Sequence, residues 1–162
     1  MRSSIDPYDL KILSALQRDG RTTMSRLAET VGLSASPCHA RVQRLIKDGV
    51  LGPFRPDVRI DKLTYSLTVI VPVELKQHES KNFTAFERAI STIPEIVECY
   101  AVGGGFDYVL KVITKDIESF QSLMDGLLEK EIGIAKYYSY IVTKTIRRFT
   151  GFPLEKLLHD SG

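Results

Sequence analysis

The sequence predicts an α+β fold with two parts, an all-helical segment followed by a segment in which strands and helices alternate. Three short stretches with helical hydrophobic spacing lie within residues 1–50, and each ends near a glycine. From residue 67 onward the pattern becomes β-α-β-β-α-β. The parts also differ in charge, because residues 1–62 contain 11 Lys and Arg against 7 Asp and Glu, whereas residues 63–162 contain 11 against 13. A basic first part suits a polyanionic partner.

The composition is that of a globular protein, with 43% hydrophobic and 26% charged residues and a net charge of +2. No apolar run reaches the roughly 18 residues that cross a bilayer, and residues 1–7 lack the apolar core of a signal peptide. A cytoplasmic protein without a membrane partner is therefore expected. Cys38 and Cys99 lie far apart with no Cys or His at metal-ligand spacing, so neither a disulfide framework nor a metal site nor a cofactor is expected.

The first two predicted helices have clear start and stop signals. Asp6 can cap a helix that begins with Pro7 and ends before Gly20. Thr23 precedes a second short helix that ends at Gly32. A third helical pattern follows after a tight turn. This succession of three helices predicts a winged-helix-like helix-turn-helix domain.

The third predicted helix has one apolar and one polar face. At about 100° per residue, Cys38, Val42 and Leu45 share the apolar face. The polar face and its margins combine small residues, which allow close approach to a DNA groove, with side chains that hydrogen-bond bases or phosphates. The expected contacts with double-stranded DNA are Ser34, Ser36, Pro37, His39, Ala40, Arg41, Gln43, Arg44 and Lys47.

Within that set, the expected roles differ. Gln43 and Arg44 are expected to read base edges, whereas Arg41 and Lys47 are expected to hold the DNA backbone. Ser34, at the start of the helix, is expected to cap it together with Ser36. For an isolated helix, a merely solvated polar face is the alternative interpretation.

The second part predicts a ferredoxin-like domain. Its expected strands span residues 67–75, 96–102, 108–114 and 137–145, and its expected helices span residues 83–93 and 117–127. Pro72 is unusual in a strand, because proline removes a hydrogen-bond donor from the ladder. Between the two parts, the sequence suits either a small hairpin or an extended linker. The expected domains are a helix-turn-helix domain at 1–50, a linker at 51–65, a ferredoxin-like domain at 66–150 and a tail at 151–162.

Several residues of the helical segment stand at the spacings of a known helix-turn-helix signature. They are Asp19-Gly20-Arg21, Leu27-Ala28, Val31-Gly32-Leu33-Ser34, Ser36-Pro37-Cys38, Arg41-Val42, Leu45 and Gly49. Over about residues 5–150, the chain resembles the leucine-responsive regulatory protein/asparagine regulator (Lrp/AsnC) family of transcriptional regulators. The resemblance implies a sequence-specific DNA-binding regulator whose C-terminal domain senses an amino acid. It also implies a homo-oligomer, a dimer that can assemble further into an octamer.

The resemblance implies where the amino acid binds. In the family it lies between neighbouring dimers, against the turn between the second and third strands and against the last strand. The corresponding residues are Val102, Gly103, Gly104, Gly105, Phe106, Asp107, Tyr140, Ile141 and Val142. Asp107 is expected to accept the ammonium of the ligand, and the amides of residues 103–105 to bind its carboxylate. Val102 and Ile141 are expected to form an apolar wall.

Two positions depart from the family pattern. Arg26 stands where family members more often have an acidic or amide residue, which changes a phosphate contact and leaves the fold intact. Gly105 replaces the first acidic residue of the family's Gly-Asp-Phe/Tyr-Asp turn, whereas Asp107 retains the second. Because the change removes one carboxylate and widens the turn, a neutral amino acid with a medium or bulky apolar side chain is expected, and not a basic one.

Two other functions stay open at this stage. A nucleoid-like architectural protein that wraps DNA without an effector is favoured by Gly105, and the glycine triplet could equally be a bare hairpin turn. A metabolic enzyme or its regulatory subunit is the other alternative. The 3 histidines are scattered, and none stands beside a Ser, Cys or acidic partner in a catalytic motif, so no enzyme activity is expected.

Overall fold

The computed structural model describes residues 4–77 and 79–159, which form two compact units. The first, called the helical unit, comprises residues 4–57 together with 147–159. The second, called the sheet unit, comprises residues 58–146 except residue 78. This division differs from the expected domain boundaries, because the end of the chain belongs to the helical unit. No described helix is long and apolar enough to span a bilayer.

The helical unit contains the three helices that the sequence predicts. They are α1 (Pro7–Arg18), α2 (Met24–Val31) and α3 (Ala35–Lys47). Apolar side chains from all three helices form one core, which consists of Ile12, Leu13, Leu16, Leu27, Ala28, Val31, Cys38, Val42 and Leu45. The predicted apolar face of the third helix is therefore the face that α3 buries.

Local signals in the sequence explain where these helices begin and end. The side chain of Asp6 accepts hydrogen bonds from the backbone N–H groups of Tyr8 and Asp9 at 2.8 and 3.0 Å, and the Asp9 carboxylate accepts from the Asp6 N–H at 3.1 Å. This reciprocal pair is a capping box. Thr23 caps α2 through its side chain, and Gly32 ends α2 with a φ of 75°, which glycine adopts without a Cβ clash.

The connection between the two units is an extended linker. Residues 48–66, all of which the structure describes, contain a short 3-10 turn at Ile60–Lys62 and no strand. Of the two alternatives that the sequence allows, the structure has the extended linker and not the hairpin. Pro53 and Pro56 are consistent with this outcome, because neither can donate a hydrogen bond to a strand ladder.

The sheet unit has the predicted order β-α-β-β-α-β. Its strands are β1 (Leu67–Leu75), β2 (Ile96–Ala101), β3 (Tyr108–Thr114), β4 (Ile134–Tyr137) and β5 (Tyr140–Ile141), and its helices are α4 (Ser80–Ile90) and α5 (Ile117–Glu129). The antiparallel strands lie in the order β2-β3-β1-β4. The short strand β5 pairs with β1 on the same edge as β4, at residues 69 and 70 of β1. This arrangement is the predicted ferredoxin-like sheet.

The last predicted strand is interrupted, and Pro72 provides the physical reason. Tyr138 and Ser139 separate β4 from β5, so the expected continuous strand over 137–145 is wrong. The Tyr138 N–H donates to the Pro72 carbonyl at 3.0 Å. In an antiparallel sheet, the N–H and the C=O of one residue point toward the same neighbouring strand. The Pro72 carbonyl points toward Tyr138, so the N–H that proline lacks would also have pointed toward the break between β4 and β5. Proline is thus tolerated in the inner strand β1 at the point where the ladder is broken.

One face of the sheet packs against α4 and α5, and within the sheet unit no described helix packs against the other face. The core between sheet and helices consists of Val69, Val71, Val73, Leu75, Phe86, Ile90, Tyr108, Leu110, Val112, Phe120, Met124, Leu127 and Ile134. Alternate residues of β1 and β3 lie on the opposite face, including the half-buried Ile70 and Val109. Tyr100 and Tyr140, which pair with Val109 and Ile70, are exposed there.

The sequence suggests a tail at 151–162, but the described residues 151–159 include a helix. This short helix is α6 (Leu154–His159), and the segment before it binds α1. The Phe152 N–H donates to Gln17 Oε1 at 2.7 Å, and Gln17 Nε2 donates to the Phe152 carbonyl at 3.3 Å. Gly151 has a φ of 119°, and a Cβ there would lie 3.0 Å from Gln17 Oε1. Gln17 therefore fixes the backbone at residues 151 and 152.

A Gln17→Ala variant should loosen this segment. The substitution removes both hydrogen bonds to Phe152, so the free energy that protects the segment should fall by about 1 kcal/mol per bond lost. Hydrogen exchange measured by mass spectrometry should become faster at residues 150–155 and stay unchanged in α2. Gln43→Ala, which truncates an exposed glutamine of α3, is the matched control. Equal exchange in all three proteins would show that Gln17 does not hold the segment.

Candidate DNA interface and effector site

α3 presents most of the predicted DNA contacts to solvent. Cys38, Val42 and Leu45 of its other face are buried in the helical unit. The exposed members of the predicted set are Ser34, Ser36, Pro37, His39, Ala40, Gln43 and Lys47. Ser34 occupies the N-cap position, but its side chain makes no capping hydrogen bond, so the capping role expected for it is wrong. Its hydroxyl is thus not used by the helix start.

Arg41 and Arg44 differ from the other members because they bind α1. Arg41 Nη1 donates to Asp6 Oδ2 at 2.5 Å and to Asp9 Oδ1 at 2.9 Å. Arg44 Nη2 donates to Asp9 Oδ2 at 2.5 Å, and Arg44 Nη1 lies 3.8 Å from Asp48 Oδ2. The side chains of Arg41 and Arg44 are 28% and 39% exposed, whereas that of Asp9 is 0% exposed. The sequence-based view of Arg44 as a side chain on an unoccupied polar face therefore needs correction.

Sequence reasoning missed this ion-pair cluster, although one signal for it is present. Asp9 stands three, four and seven positions before Ile12, Leu13 and Leu16, which makes it part of the apolar stripe of α1. A carboxylate on a buried helical face requires a cationic or hydrogen-bonding partner. The position of Asp9 could therefore have predicted a partner on another element, but not which arginine supplies it.

The environment of Asp6 and Asp9 keeps both carboxylates ionised. Burial by itself raises the pKa of Asp9, but hydrogen bonds from Arg44, from the Asp6 backbone and from Arg41 outweigh burial and lower the pKa below its usual value. The pKa of Asp6 is lowered by the backbone hydrogen bond from Asp9 and then by the Arg41 guanidinium. Both groups are therefore charged at neutral pH.

This cluster should make the helical unit sensitive to acid. Because the folded-state pKa values are lowered, the contribution of Asp6 and Asp9 is complete above their unfolded pKa of about 3.9 and disappears as pH falls through the folded values. Thermal unfolding of the full chain should show that Asp9→Asn is less stable than wild type at pH 7. The difference should shrink steadily below about pH 4. A difference that is constant from pH 7 to pH 3 would contradict the charged state of Asp9.

The turn between β2 and β3 carries the first group of predicted effector residues. The Asp107 N–H donates to the Val73 carbonyl at 2.9 Å, and the Val102 N–H donates to the Asp107 carbonyl at 3.0 Å. Asp107 Oδ2 accepts a hydrogen bond from the Leu75 N–H at 2.7 Å. The sequence did not predict this contact, through which Asp107 fastens the turn to the end of β1. The Phe106 and Tyr138 rings meet edge to face at 5.5 Å.

The second group of predicted effector residues lies on the other side of β1. Tyr140 and Ile141 form β5 and pair with Ile70 and Val69, whereas the turn bonds to β1 at Val73. At about 3.3 Å per strand residue, these points are roughly 10 Å apart along β1. Val142 follows β5 and donates to the Thr68 carbonyl at 2.9 Å. Within one chain, the β2–β3 turn thus contacts Tyr138 through Phe106. Residues 140–142 form a second patch that is separate from the turn.

Within residues 4–77 and 79–159, no group of three or more His, Cys, Asp or Glu side chains is arranged to hold a metal ion. Cys38 is buried in the helical core and Cys99 is exposed on β2, and both are free thiols. The polar face of α3 and the β2–β3 turn together with residues 140–142 remain the sites that the sequence predicts.

Comparison with known proteins identifies both units. A winged helix-turn-helix DNA-binding model matches residues 5–51, and the Lrp/AsnC ligand-binding domain model matches residues 68–152. The chain belongs to the Lrp/AsnC family of transcriptional regulators. The resemblance, the fold class and the function drawn from the sequence are therefore confirmed at this level: a regulator with a DNA-binding helix-turn-helix domain and a ligand-binding domain.

Curated Lrp/AsnC relatives match the chain over most of its length. The transcriptional regulatory protein DoeX of Halomonas elongata is 46% identical over 144 residues, which cover 89% of this chain and 91% of that protein. The leucine-responsive regulatory protein of Escherichia coli K12 is 33% identical, with coverage of 89% and 88%. The proline dehydrogenase transcriptional activator of Rhizobium radiobacter is 32% identical, with coverage of 88% and 92%.

Solved Lrp/AsnC structures have the same fold. A Neisseria meningitidis transcriptional regulator in complex with L-Met matches with a TM-score of 0.86 and 29% identity, over 96% of this chain and 100% of that one. An AsnC family regulator from Agrobacterium tumefaciens matches with a TM-score of 0.87 and 31% identity, over 95% and 100%. The individual DNA and effector contacts in this chain stay predictions.

Proposed function

We propose that this Lrp/AsnC regulator binds double-stranded DNA through the exposed face of α3 and that an amino acid bound by the sheet unit controls this binding. The observation that carries the DNA interface is the division of α3 into a buried apolar face and a polar face open to solvent. Gln43 lies near the centre of the open face and can form two hydrogen bonds with adenine in the major groove. Lys47, one turn later, can contact a phosphate.

The contacts of Arg41 and Arg44 change the division of roles within this interface. Their guanidinium groups are held by Asp6 and Asp9, which suits contact with the sugar-phosphate backbone better than insertion between base edges. We therefore assign base reading to Gln43, with Ser36, His39 and Ala40 of the same surface next to the bases. A cytoplasmic location and an activity of DNA binding without catalysis are part of this proposal.

The proposed effector is an amino acid with a neutral, medium or bulky apolar side chain. Two findings support an amino acid: the match to a ligand-binding domain model and the L-Met complex of the Neisseria relative. The backbone amides of residues 103–105 can bind the carboxylate of the ligand, and Asp107 can accept its ammonium. Gly105 contributes no second carboxylate, which argues against a basic ligand. Val102 and Ile141 are exposed and can form apolar walls.

The proposed assembly is a homodimer that can associate further into an octamer. The sheet face opposite α4 and α5 carries the exposed rings of Tyr100 and Tyr140 beside Ile70 and Val109, so it has apolar surface for a second copy to cover. The predicted effector residues lie in two patches of one chain, which agrees with a ligand held between copies. A helix-turn-helix protein also needs two-fold symmetry to bind paired half-sites.

Light scattering of the full chain should therefore show an even-numbered oligomer at micromolar concentration. The physical reason is the apolar sheet face, whose exposure to water in a monomer is unfavourable. Tyr140→Asp would place a charge on this face and should shift the population toward smaller species, whereas Lys115→Ala, at an exposed position just before α5, should not. A wild-type protein that is monomeric under these conditions would contradict the proposed assembly.

A thermal-shift screen against the twenty amino acids tests the effector proposal. A ligand that binds only the folded state stabilises it by mass action and so raises the unfolding temperature. At a ligand concentration of about 100 times Kd, the free energy of unfolding increases by about 2.7 kcal/mol. An apolar amino acid should give the largest shift. If none changes unfolding temperature, assembly or DNA affinity, the architectural alternative that Gly105 favours replaces the sensor.

A further inference from the structure

The buried carboxylate of Asp9 connects α1 to two arginines of α3. Asp9 is the one acidic or basic side chain, within residues 4–77 and 79–158, that is fully buried. Asp9 Oδ1 accepts from Arg41, and Asp9 Oδ2 accepts from Arg44 and from the Asp6 N–H. One carboxylate therefore fixes two arginines that lie three positions apart on α3.

Asp6 and Tyr8 restrict Arg41 further. Asp6 Oδ2 accepts a second hydrogen bond from the same Arg41 nitrogen, and the Arg41 guanidinium lies 5.5 Å from the centre of the Tyr8 ring. This distance is typical of a cation–π contact. Three residues at the N-terminus of α1 thus contact Arg41. The capping box in turn fixes the start of α1.

Arg41 and Arg44 nevertheless remain accessible from outside. Both arginines line a shallow groove together with Asp6 and Asp9, and Pro37 and Ala40 of the proposed DNA surface line it as well. A guanidinium has five N–H donors. Arg41 uses fewer than five in its contacts with Asp6 and Asp9, and Arg44 uses fewer than five in its contacts with Asp9, Asp48 and the Ser4 carbonyl. The partial exposure of both side chains leaves room for an additional oxygen ligand.

We infer that Asp9 is a positioning residue for DNA binding, which holds Arg41 and Arg44 so that their remaining donors meet phosphates of the DNA backbone in one register. This inference rests on the proposed function of α3. An arginine that is already held loses less conformational freedom when it binds a phosphate than one that moves in solvent. Two such arginines in a fixed relation determine where α3 lies along the groove, and so which bases Gln43 can reach.

The charges of Asp6 and Asp9 allow positioning to be separated from simple electrostatics. Both carboxylates repel DNA phosphates, so their neutralisation should strengthen DNA binding if the arginines act only as charges. If the carboxylates position the arginines, their neutralisation should instead weaken binding to the preferred sequence. The two explanations therefore predict changes of opposite sign.

The experiment compares two duplexes and four full-length proteins. One duplex is the sequence that the wild-type protein selects from a random pool, and the other is its scrambled version. The variants are Asp6→Asn, Asp9→Asn and the control Glu29→Gln, which removes one negative charge at an exposed position of α2. Asparagine at position 6 keeps an N-cap oxygen, so Asp6→Asn preserves the start of α1. Thermal unfolding checks that each variant is folded at the assay temperature.

The expected result is a loss of discrimination in the two aspartate variants. Affinity for the selected duplex should fall about tenfold, the size of one good specific contact, while affinity for the scrambled duplex stays the same or rises. Glu29→Gln should change both affinities by the same small factor. A role in folding alone would lower both affinities together, which would also overturn the inference.

Two further outcomes have distinct meanings. If Asp6→Asn and Asp9→Asn raise both affinities in the same proportion as Glu29→Gln, the carboxylates position nothing and the inference is overturned. If Asp9→Asn is unfolded at the assay temperature, Asp6→Asn decides, because Asp6 is 42% exposed and its variant retains the cap. A wild-type protein that selects no preferred duplex would overturn the proposed function itself.

Discussion

A Gln43→Ala variant of the full chain should bind its selected DNA duplex with a free energy that is about 1–3 kcal/mol less favourable, which is roughly 5- to 150-fold weaker. Gln43 is exposed on α3, and its neighbours Val42 and Leu45 are buried, so truncation removes a DNA contact without disturbing the core. Affinity for a scrambled duplex should hardly change. Fluorescence anisotropy with both duplexes measures the two constants.

Lys47→Ala is the matched control for this substitution. Lys47 is exposed on the same helix, and a phosphate contact carries no sequence information. Its loss should therefore weaken binding to both duplexes alike and reduce the slope of log affinity against log salt by about one unit. Equal affinity of Gln43→Ala and wild type for the selected duplex would show that Gln43 reads no base.

Arg44→Ala is a poorer test of base reading, although the sequence alone favours it. Arg44 donates to the fully buried Asp9, so its removal leaves one oxygen of that carboxylate with less compensation inside the protein. A loss of DNA affinity in Arg44→Ala would then combine a lost contact with a disturbed α1–α3 junction. Gln43 has no such structural contact among the described hydrogen bonds of residues 4–77 and 79–159, which makes its variant easier to interpret.

The elements of the fold could be predicted because their signals are local. Asp6 and Thr23 cap helices within three residues of themselves, and Gly32 ends α2 through its own backbone conformation. The alternation of β1 and β3 is likewise visible within one strand. Such signals need no knowledge of distant partners, so the order of helices and strands could be derived from the sequence.

The features that the sequence did not predict depend on distant partners. Asp9 and Arg44 are 35 positions apart, and Gln17 and Phe152 are 135 positions apart. The break between β4 and β5 has its cause in Pro72, on another strand. For the candidate site, helical periodicity correctly separated the buried and exposed faces of α3. It could not show that α1 occupies the margin where Arg41 and Arg44 lie.

An Asp107→Asn variant should lose the response to the amino acid that stabilises the wild-type protein. A carboxylate accepts the ammonium of the ligand in a charge-assisted hydrogen bond, which is about twice as strong as a neutral one. The expected loss is about 1.5–3 kcal/mol of ligand binding, roughly 10- to 150-fold in Kd. The measurement is the shift in unfolding temperature over a series of ligand concentrations.

Asparagine is a sharper choice than alanine at position 107. Asp107 Oδ2 accepts the Leu75 N–H at 2.7 Å, and an asparagine amide oxygen can accept the same bond. Asp107→Ala would leave the Leu75 N–H without this acceptor, so a lost ligand response could reflect a displaced turn. With Asp107→Asn, the unfolding temperature without ligand and the DNA affinity without ligand should both stay near the wild-type values.

Gly105→Asp is the matched variant in the same turn, because it adds a negative charge where Asp107→Asn removes one. A Cβ at Gly105 would meet no atom within 4 Å, and its φ lies outside the left-handed region, so the substitution should not strain the turn. The added carboxylate should strengthen binding of ligands with a second ammonium, because opposite charges attract across the site. If Asp107→Asn and wild type respond equally to the same amino acid, Asp107 does not accept its ammonium, and the side chain serves only to fasten the turn to β1.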